Sequence, residues 1–306
     1  MVDVDTFLTW LYVTADDWVK REWAPQARPG PAPALSVSEV VTLAVFGQWA
    51  GFASERAFYR FAARRLRAAF PTLPDRSQFN RRLRAQWSTI VAFGQALAAQ
   101  DARSAAYQAL DATAVPVRNA KRRGTGWLPG TVALGRSTSL GWYEGFALLA
   151  AVTPNGAIAG YGVAAANVKE QRQAETFLAA RRRPHPRLPT VGPWAAAYLA
   201  DAGFAGEANH RRWQATYDAV VVSPPQSNSA HPWPEALADW LRRRRQIAET
   251  AFAALLGATR LRADRPHALD GFQARLAAMI ARHNFCLWLN RQLGRPPLAF
   301  ADLIAW

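Results

Sequence analysis

The chain has 306 residues, half of them hydrophobic, and a formal charge of +15 from 37 basic and 22 acidic residues. That supports one large or two modest domains, and the charge calls for a polyanionic partner, nucleic acid before anionic membrane. A single Cys286 excludes a disulfide framework and a cysteine-based zinc site, and the five scattered His residues show no metal-ligand spacing.

The basic excess is almost all Arg, with Lys only at Lys20, Lys121 and Lys169. Arg favours bidentate phosphate contacts, although an Arg- and Ala-rich chain also follows from a GC-rich genome. There is no run of about 18 apolar residues, and Asp3 and Asp5 stand where a signal peptide would be basic. A soluble cytoplasmic protein with no membrane partner is expected.

Val4 to Trp23 has helical periodicity, and Pro25, Pro29, Pro31 and Pro33 then break the chain. Ser36 and Glu39 form a capping box that opens a helix through Trp49. A third helix runs from Ser54 to about Phe70, with Arg56, Arg60, Arg64, Arg65 and Arg67 on its polar face. Asp75 caps one long helix from about Arg76 to Gln100 whose first turns are basic. These helices, residues 1–103, are read as an all-α N-terminal domain. It is either a helix-turn-helix-like DNA module, with Gln78, Asn80, Arg81 and Arg82 facing DNA, or an ordinary bundle with a solvated basic face.

Residues 104–306 are read as a second domain. It opens with a buried strand, Tyr107 to Val117, interrupted by Asp111. An ionised carboxylate there costs several kcal/mol, roughly, unless a cation meets it. A basic loop follows, containing Arg122 and Arg123, which is either solvated or a DNA-backbone contact. Glu144 to Val152 and Ala157 to Ala165 form two strands around the Pro154-Asn155-Gly156 turn. A helix runs from Asn167 to about Ala180, then a strand ends in Asp201-Ala202-Gly203-Phe204. Glu207 to Gln214 is a short helix, and Tyr217 to Val222 a fifth strand.

Glu235 to Leu256 and Ala268 to Leu293 are long helices, and the tail from Leu298 to Ile304 is apolar enough to dock on the core. The first long helix carries Arg242, Arg245 and Glu249, the last two sharing a face. Arg245 either pairs with Glu249 along the helix or meets a phosphate. Asp111, Asp201 and Glu249 each sit at the end of a core element, as a divalent-metal site requires, though Asp is also a common turn residue at strand ends. Glu144 begins a strand nearby and is the leading further acid, whereas Glu175 and Glu207 read as solvated.

Three strands followed by alternating helices and strands predict an α/β fold, a ribonuclease-H-like mixed five-stranded sheet flanked by helices. In that order the first and fourth strands are neighbours. Asp111 and Asp201, ninety positions apart, would then meet at one sheet edge.

Several stretches, in order, resemble bacterial insertion-sequence transposases of the DDE type. They are Leu35 to Leu43, Asp111 to Val117, Gly145-Phe146 through Ala166-Asn167-Val168, Asp201-Ala202-Gly203-Phe204, Arg245-Gln246-Ile247-Ala248-Glu249 and Asn290 to Pro296. No single piece is specific; their order and spacing carry the likeness. The chain departs from that pattern at Arg242, Leu256, Ala202 and Ala147, where relatives commonly place Tyr, Lys, Lys and a basic residue.

The resemblance implies a Mg²⁺-dependent enzyme, an endonuclease that cleaves insertion-sequence ends and transfers the 3′-hydroxyl strands to target DNA. Asp111, Asp201 and Glu249 would be its catalytic acids and metal ligands, for two Mg²⁺ ions, with Mn²⁺ able to substitute. Arg242, Arg245, Arg81, Arg82, Arg122 and Arg123 are the candidate DNA contacts. A homodimer associated with the nucleoid is expected, because two element ends must be cut together. The alternatives are a nuclease without strand transfer and a domesticated DNA-binding protein of reduced catalysis.

Overall fold

A computed structural model describes the chain except residues 24–32, 50, 120–127, 129, 183–196 and 264–265. Arg122 and Arg123, and most of the proline-rich break after Trp23, therefore lie outside the described residues. The chain forms two compact units. The first joins Met1–Gly94, Leu255–Asp264 and Ala268–Trp306; the second is Gln95–Ala254 with Arg265–His267. Packing thus groups the two ends of the chain, where the sequence reading cut it once near residue 103.

In the first unit, strand β1 (Val2–Asp3) leads into helix α1 (Val4–Glu22), followed by α2 (Val37–Phe46), α3 (Glu55–Arg65) and α4 (Arg76–Ala85). Each start has the side-chain cap its sequence supplies. The Ser36 hydroxyl accepts from the Glu39 amide while Glu39 Oε2 accepts from the Ser36 amide at 2.7 Å. Asp75 Oδ1 accepts from the amides of Ser77 and Gln78.

The single helix predicted from Arg76 to Gln100 is two, α4 and α5 (Trp87–Ser104). The Gln86 amide still bonds back to Arg82, but its backbone leaves the helical region, and its side-chain oxygen accepts from the Thr89 hydroxyl at 2.7 Å. A local side-chain bond there competes with helix continuation, a break that apolar periodicity does not register.

Helix α9 (Leu269–Gln292) is the core of the first unit. Phe272, Leu276, Met279, Ile280, Phe285, Leu287 and Leu289 are all buried, and Arg282, His283, Asn284 and Asn290 are buried with them. Asn284 donates to the Gly94 carbonyl at 2.7 Å, and Asn290 to the carbonyls of Pro297 and Ala299. The tail docks as expected. Phe300, Leu303 and Ile304 are buried, and β8 (Ile304–Ala305) pairs in parallel with β1.

The second unit is built on one mixed sheet. Its strands are β2 (Gln108–Asn119), β3 (Ala133–Ser137), β4 (Gly141–Val152), β5 (Ile158–Ala165), β6 (Tyr198–Leu199) and β7 (Val221–Val222). Strand β4 pairs along one side with β2; along the other it pairs with β3 through Gly141–Gly145 and with β5 through Phe146–Val152. Strand β2 then pairs in parallel with β6, and β6 with β7. This is the ribonuclease-H-like order, with the first and fourth predicted strands adjacent.

Two details differ from the sequence reading. Strand β3 is a sixth strand, in a stretch read as loop. The fifth predicted strand shrinks to Val221–Val222, because helix α7 (Glu207–Tyr217) continues through Tyr217 and ends on Asp218 in the left-handed region, φ 53°. Asp tolerates that conformation better than most residues.

Helix α6 (Glu170–Arg182) covers the sheet. Its Ala174, Phe177 and Leu178 pack with Leu110, Leu149, Tyr198, Phe204, Trp213 and Val221 in one buried cluster. Polar ties hold it at two levels: Gln173 donates to the Ala147 carbonyl at 2.9 Å, and the buried Arg181 donates to Gln108 and to the Tyr198 hydroxyl, each at 2.9 Å.

Candidate active site

Strand pairing brings the first two acids together. Gln108 lies opposite Tyr198 and Ala109 opposite Leu199, so continuing the register by two positions sets Asp111 beside Asp201. The two strands then diverge in role. Strand β2 runs on through the sheet, with the Ala112 amide donating to Asp111 Oδ1 at 2.9 Å. Strand β6 stops, and Asp201 caps a single 3-10 turn, Ala202–Phe204, accepting the Gly203 amide at 2.9 Å. Asp201 is thus both a turn residue and a neighbour of Asp111.

Helix α8 (Glu235–Ala258) supplies the third component. Arg245 Nη2 lies 3.3 Å from Asp111 Oδ1 and 3.7 Å from Asp201 Oδ2, so one guanidinium bridges both carboxylates. Of the two sequence-level roles for Arg245, pairing along the helix with Glu249 is not the one adopted. Its Nε is buried and makes no hydrogen bond among the described residues. A buried donor left unmade costs about 1–3 kcal/mol.

Glu249 stands one turn further along α8, exposed, and near enough for its charge to act on Asp111. Arg242 is exposed and pairs with Asp239.

Asp111 is largely buried, with a side chain 16 % exposed. Burial pushes its carboxyl up to about 6; Arg245 pulls the other way, and the charges of Asp201 and Glu249 push it further up. The site therefore holds more negative charge than Arg245 neutralises.

A fourth acid belongs here that the sequence reading did not name. Glu170, half-buried in the first turn of α6, has its carboxyl pushed up to about 7, first by burial and then by Asp201 and Asp111. An acid in a first helical turn is ordinary, because it complements the helix dipole, so nothing in the sequence set Glu170 apart.

Glu144, the further acid expected from the sequence, is elsewhere. It lies opposite Arg118 on β2 and meets its Nε at 2.9 Å in a mostly buried ion pair. Seven residues along β2 from Asp111 amount to roughly 20 Å, which takes Glu144 out of the site. Glu175 is bound to Arg212 of α7 by two contacts, at 2.8 and 3.2 Å.

The donor set suits a hard divalent cation: oxygen ligands only, crowded carboxylates, and partial desolvation. Among the described residues no three acids are close enough to hold an ion in this arrangement, in which Arg245 provides the positive charge.

In the first unit, Arg81 and Arg82 line a shallow depression on α4 with Gln78, Ala85 and Gln86, and Arg81 is exposed. Asn80 does not join them. It lines a different pocket with Phe58 and Phe79, and its side-chain oxygen is buried without a hydrogen bond.

Compared with known protein families, residues 107–285 match the model described as "Transposase DDE domain", which covers more than half of the chain. The chain belongs to the transposase DDE domain family. No curated protein and no solved structure matches it. The match begins at Tyr107, just before β2, and runs into α9, so it takes in Asp111, Glu170, Asp201, Arg245 and Glu249. DNA transposition and recombination are thereby the transposase's field of action, and the α/β sheet is that of its ribonuclease-H-like core. No described helix is long and apolar enough to cross a membrane.

Proposed function

We propose that this transposase cleaves the ends of an insertion sequence and joins the freed 3′-hydroxyls to target DNA by two-metal-ion phosphoryl transfer. Asp111, Asp201 and Glu249 are its catalytic acids, and Mg²⁺ its cofactor, replaceable by Mn²⁺. The observation that carries the reading is the parallel register of β2 and β6, which puts Asp111 beside Asp201 within reach of α8.

Both steps are in-line displacements at phosphorus, and neither needs a covalent link to the protein. Bound Mg²⁺ supplies a Lewis acid and an activated oxygen nucleophile at neutral pH. The chain's own residues do the rest. Asp111, central in the sheet, and Asp201, fixed by its turn, hold the cation from two backbones; Glu249 closes the set from the helix. Arg245, with its unsatisfied Nε, turns from the carboxylates to a phosphate oxygen when the acids are neutralised otherwise. Arg242, Arg81, Arg82, Arg122 and Arg123 contact DNA backbone, the α4 pair forming part of a DNA-reading surface in an N-terminal domain. The protein works as a homodimer at the nucleoid, one copy for each element end.

Glu249→Gln tests the assignment. The swap keeps size and removes the charge, so fold and DNA binding should persist while Mg²⁺-dependent cleavage falls by about a thousandfold, with partial recovery in Mn²⁺. Full cleavage in Mg²⁺ by this variant would remove Glu249 from the catalytic set.

A further inference from the structure

Gly203 follows Asp201 in the 3-10 turn, and its missing side chain is filled by another residue. A Cβ at position 203 would lie 1.7 Å from Glu170 Oε2 and 3.0 Å from Asp201 Oδ1. Those two carboxylate oxygens are therefore no farther apart than the two distances combined. Glu170 sits in the first turn of α6, which Gln173 ties to β4 and Arg181 ties to β2 and β6.

Arg245 reaches Asp111 and Asp201 but forms no ion pair with Glu170. Two carboxylates held this close, one with no cation partner among the described residues, repel when both are ionised, so the pair favours a shared proton or a shared cation. Glu175 and Glu144, by contrast, are paired, with Arg212 and Arg118.

We infer that Glu170 is a fourth carboxylate of the active site, facing Asp201 across Gly203 and sharing its divalent cation. This rests on the reading of Asp111, Asp201 and Glu249 as the metal-binding acids, and it adds a donor from a different element, the helix after the third core strand. It also gives Gly203 a role: any side chain there would push Glu170 out of the site.

The test is Mn²⁺ binding to the full-length protein without DNA, followed by electron paramagnetic resonance, in the wild type, Asp201→Asn, Glu170→Gln and Gly203→Ala. Thermal melting is recorded on each metal-free protein. Asp201→Asn should lose saturable binding, and Glu170→Gln should weaken it by roughly 10–100-fold without lowering the metal-free melting temperature. Gly203→Ala should weaken it too, and add less to Glu170→Gln than it costs alone, because part of its effect is displacement of the same donor.

Loss in Asp201→Asn with wild-type affinity in Glu170→Gln would overturn the inference and leave the three-acid site standing. Unchanged affinity in Asp201→Asn would overturn both. If Glu170→Gln does not fold, Glu170→Ala decides: weakened Mn²⁺ binding supports the inference, and unchanged binding overturns it.

Discussion

Asp111 and Glu170 are carboxylates that folding has made harder to ionise, to about 6 and about 7 respectively, mainly because both are removed from water. Each binds its proton more tightly in the folded chain than in the unfolded one. Their contribution to stability is therefore present below the ordinary carboxylate range and is lost as pH rises through about 6 and about 7. The metal-free protein should melt at lower temperature at about pH 8 than at about pH 5, and Glu170→Gln should flatten the upper part of that decline. A melting temperature that climbs steadily over this range would contradict the electrostatic account of the site. At this scale the sequence was partly legible. Asp111 stood out as a charge in an apolar strand and Asp201 as an acid before a Gly turn. Glu170 did not, because its importance comes from Gly203, thirty-three positions later, and only the folded turn joins them.

Among the elements, the adjacency of β2 and β6 was legible in the strand order, which fits a ribonuclease-H-like sheet; their register came only from the pairing itself. Other features depended on contacts that periodicity does not encode. The Gln86 break splits a helix that hydrophobic pattern would have continued, and Asp218 ends α7 by a left-handed residue. Glu144 was misplaced for the same reason. Its nearness to the first strands in sequence said nothing of its partner, which β2–β4 pairing fixes as Arg118. Breaking that mostly buried pair leaves an uncompensated charge, so Glu144→Ala should lose about 3 kcal/mol in urea unfolding. Cleavage per folded molecule should stay at the wild-type rate. Lost cleavage with unchanged stability would return Glu144 to the active site.

For the whole molecule, the +15 charge was the first signal and remains the broadest one. Because the excess is carried by Arg, binding to duplex DNA should be dominated by phosphate contacts and counterion release. Between about 50 and 200 mM salt, affinity should fall by at least about 100-fold, and Arg81→Ala or Arg82→Ala should each reduce the logarithmic salt slope by about one. A flat salt response would argue against a phosphate-dominated interface, and unchanged slopes in both variants would remove α4 from it. The sequence also carried the family signal over most of the second unit, whereas the joining of the two chain ends around α9 was not legible. That arrangement depends on which apolar faces meet, which the pattern of a single helix does not encode.

The central claim is that Asp111 anchors a metal-dependent site for DNA strand cleavage. The most direct measurement is Mg²⁺-dependent nicking of a supercoiled plasmid carrying the DNA that flanks the coding sequence, comparing the wild type with Asp111→Asn. The account predicts nicks with free 3′-hydroxyls in Mg²⁺ and none in EDTA. It also predicts a variant that binds the same DNA but cuts it about a thousandfold more slowly or not at all. Equal nicking by Asp111→Asn, or wild-type nicking that persists in EDTA, would contradict it.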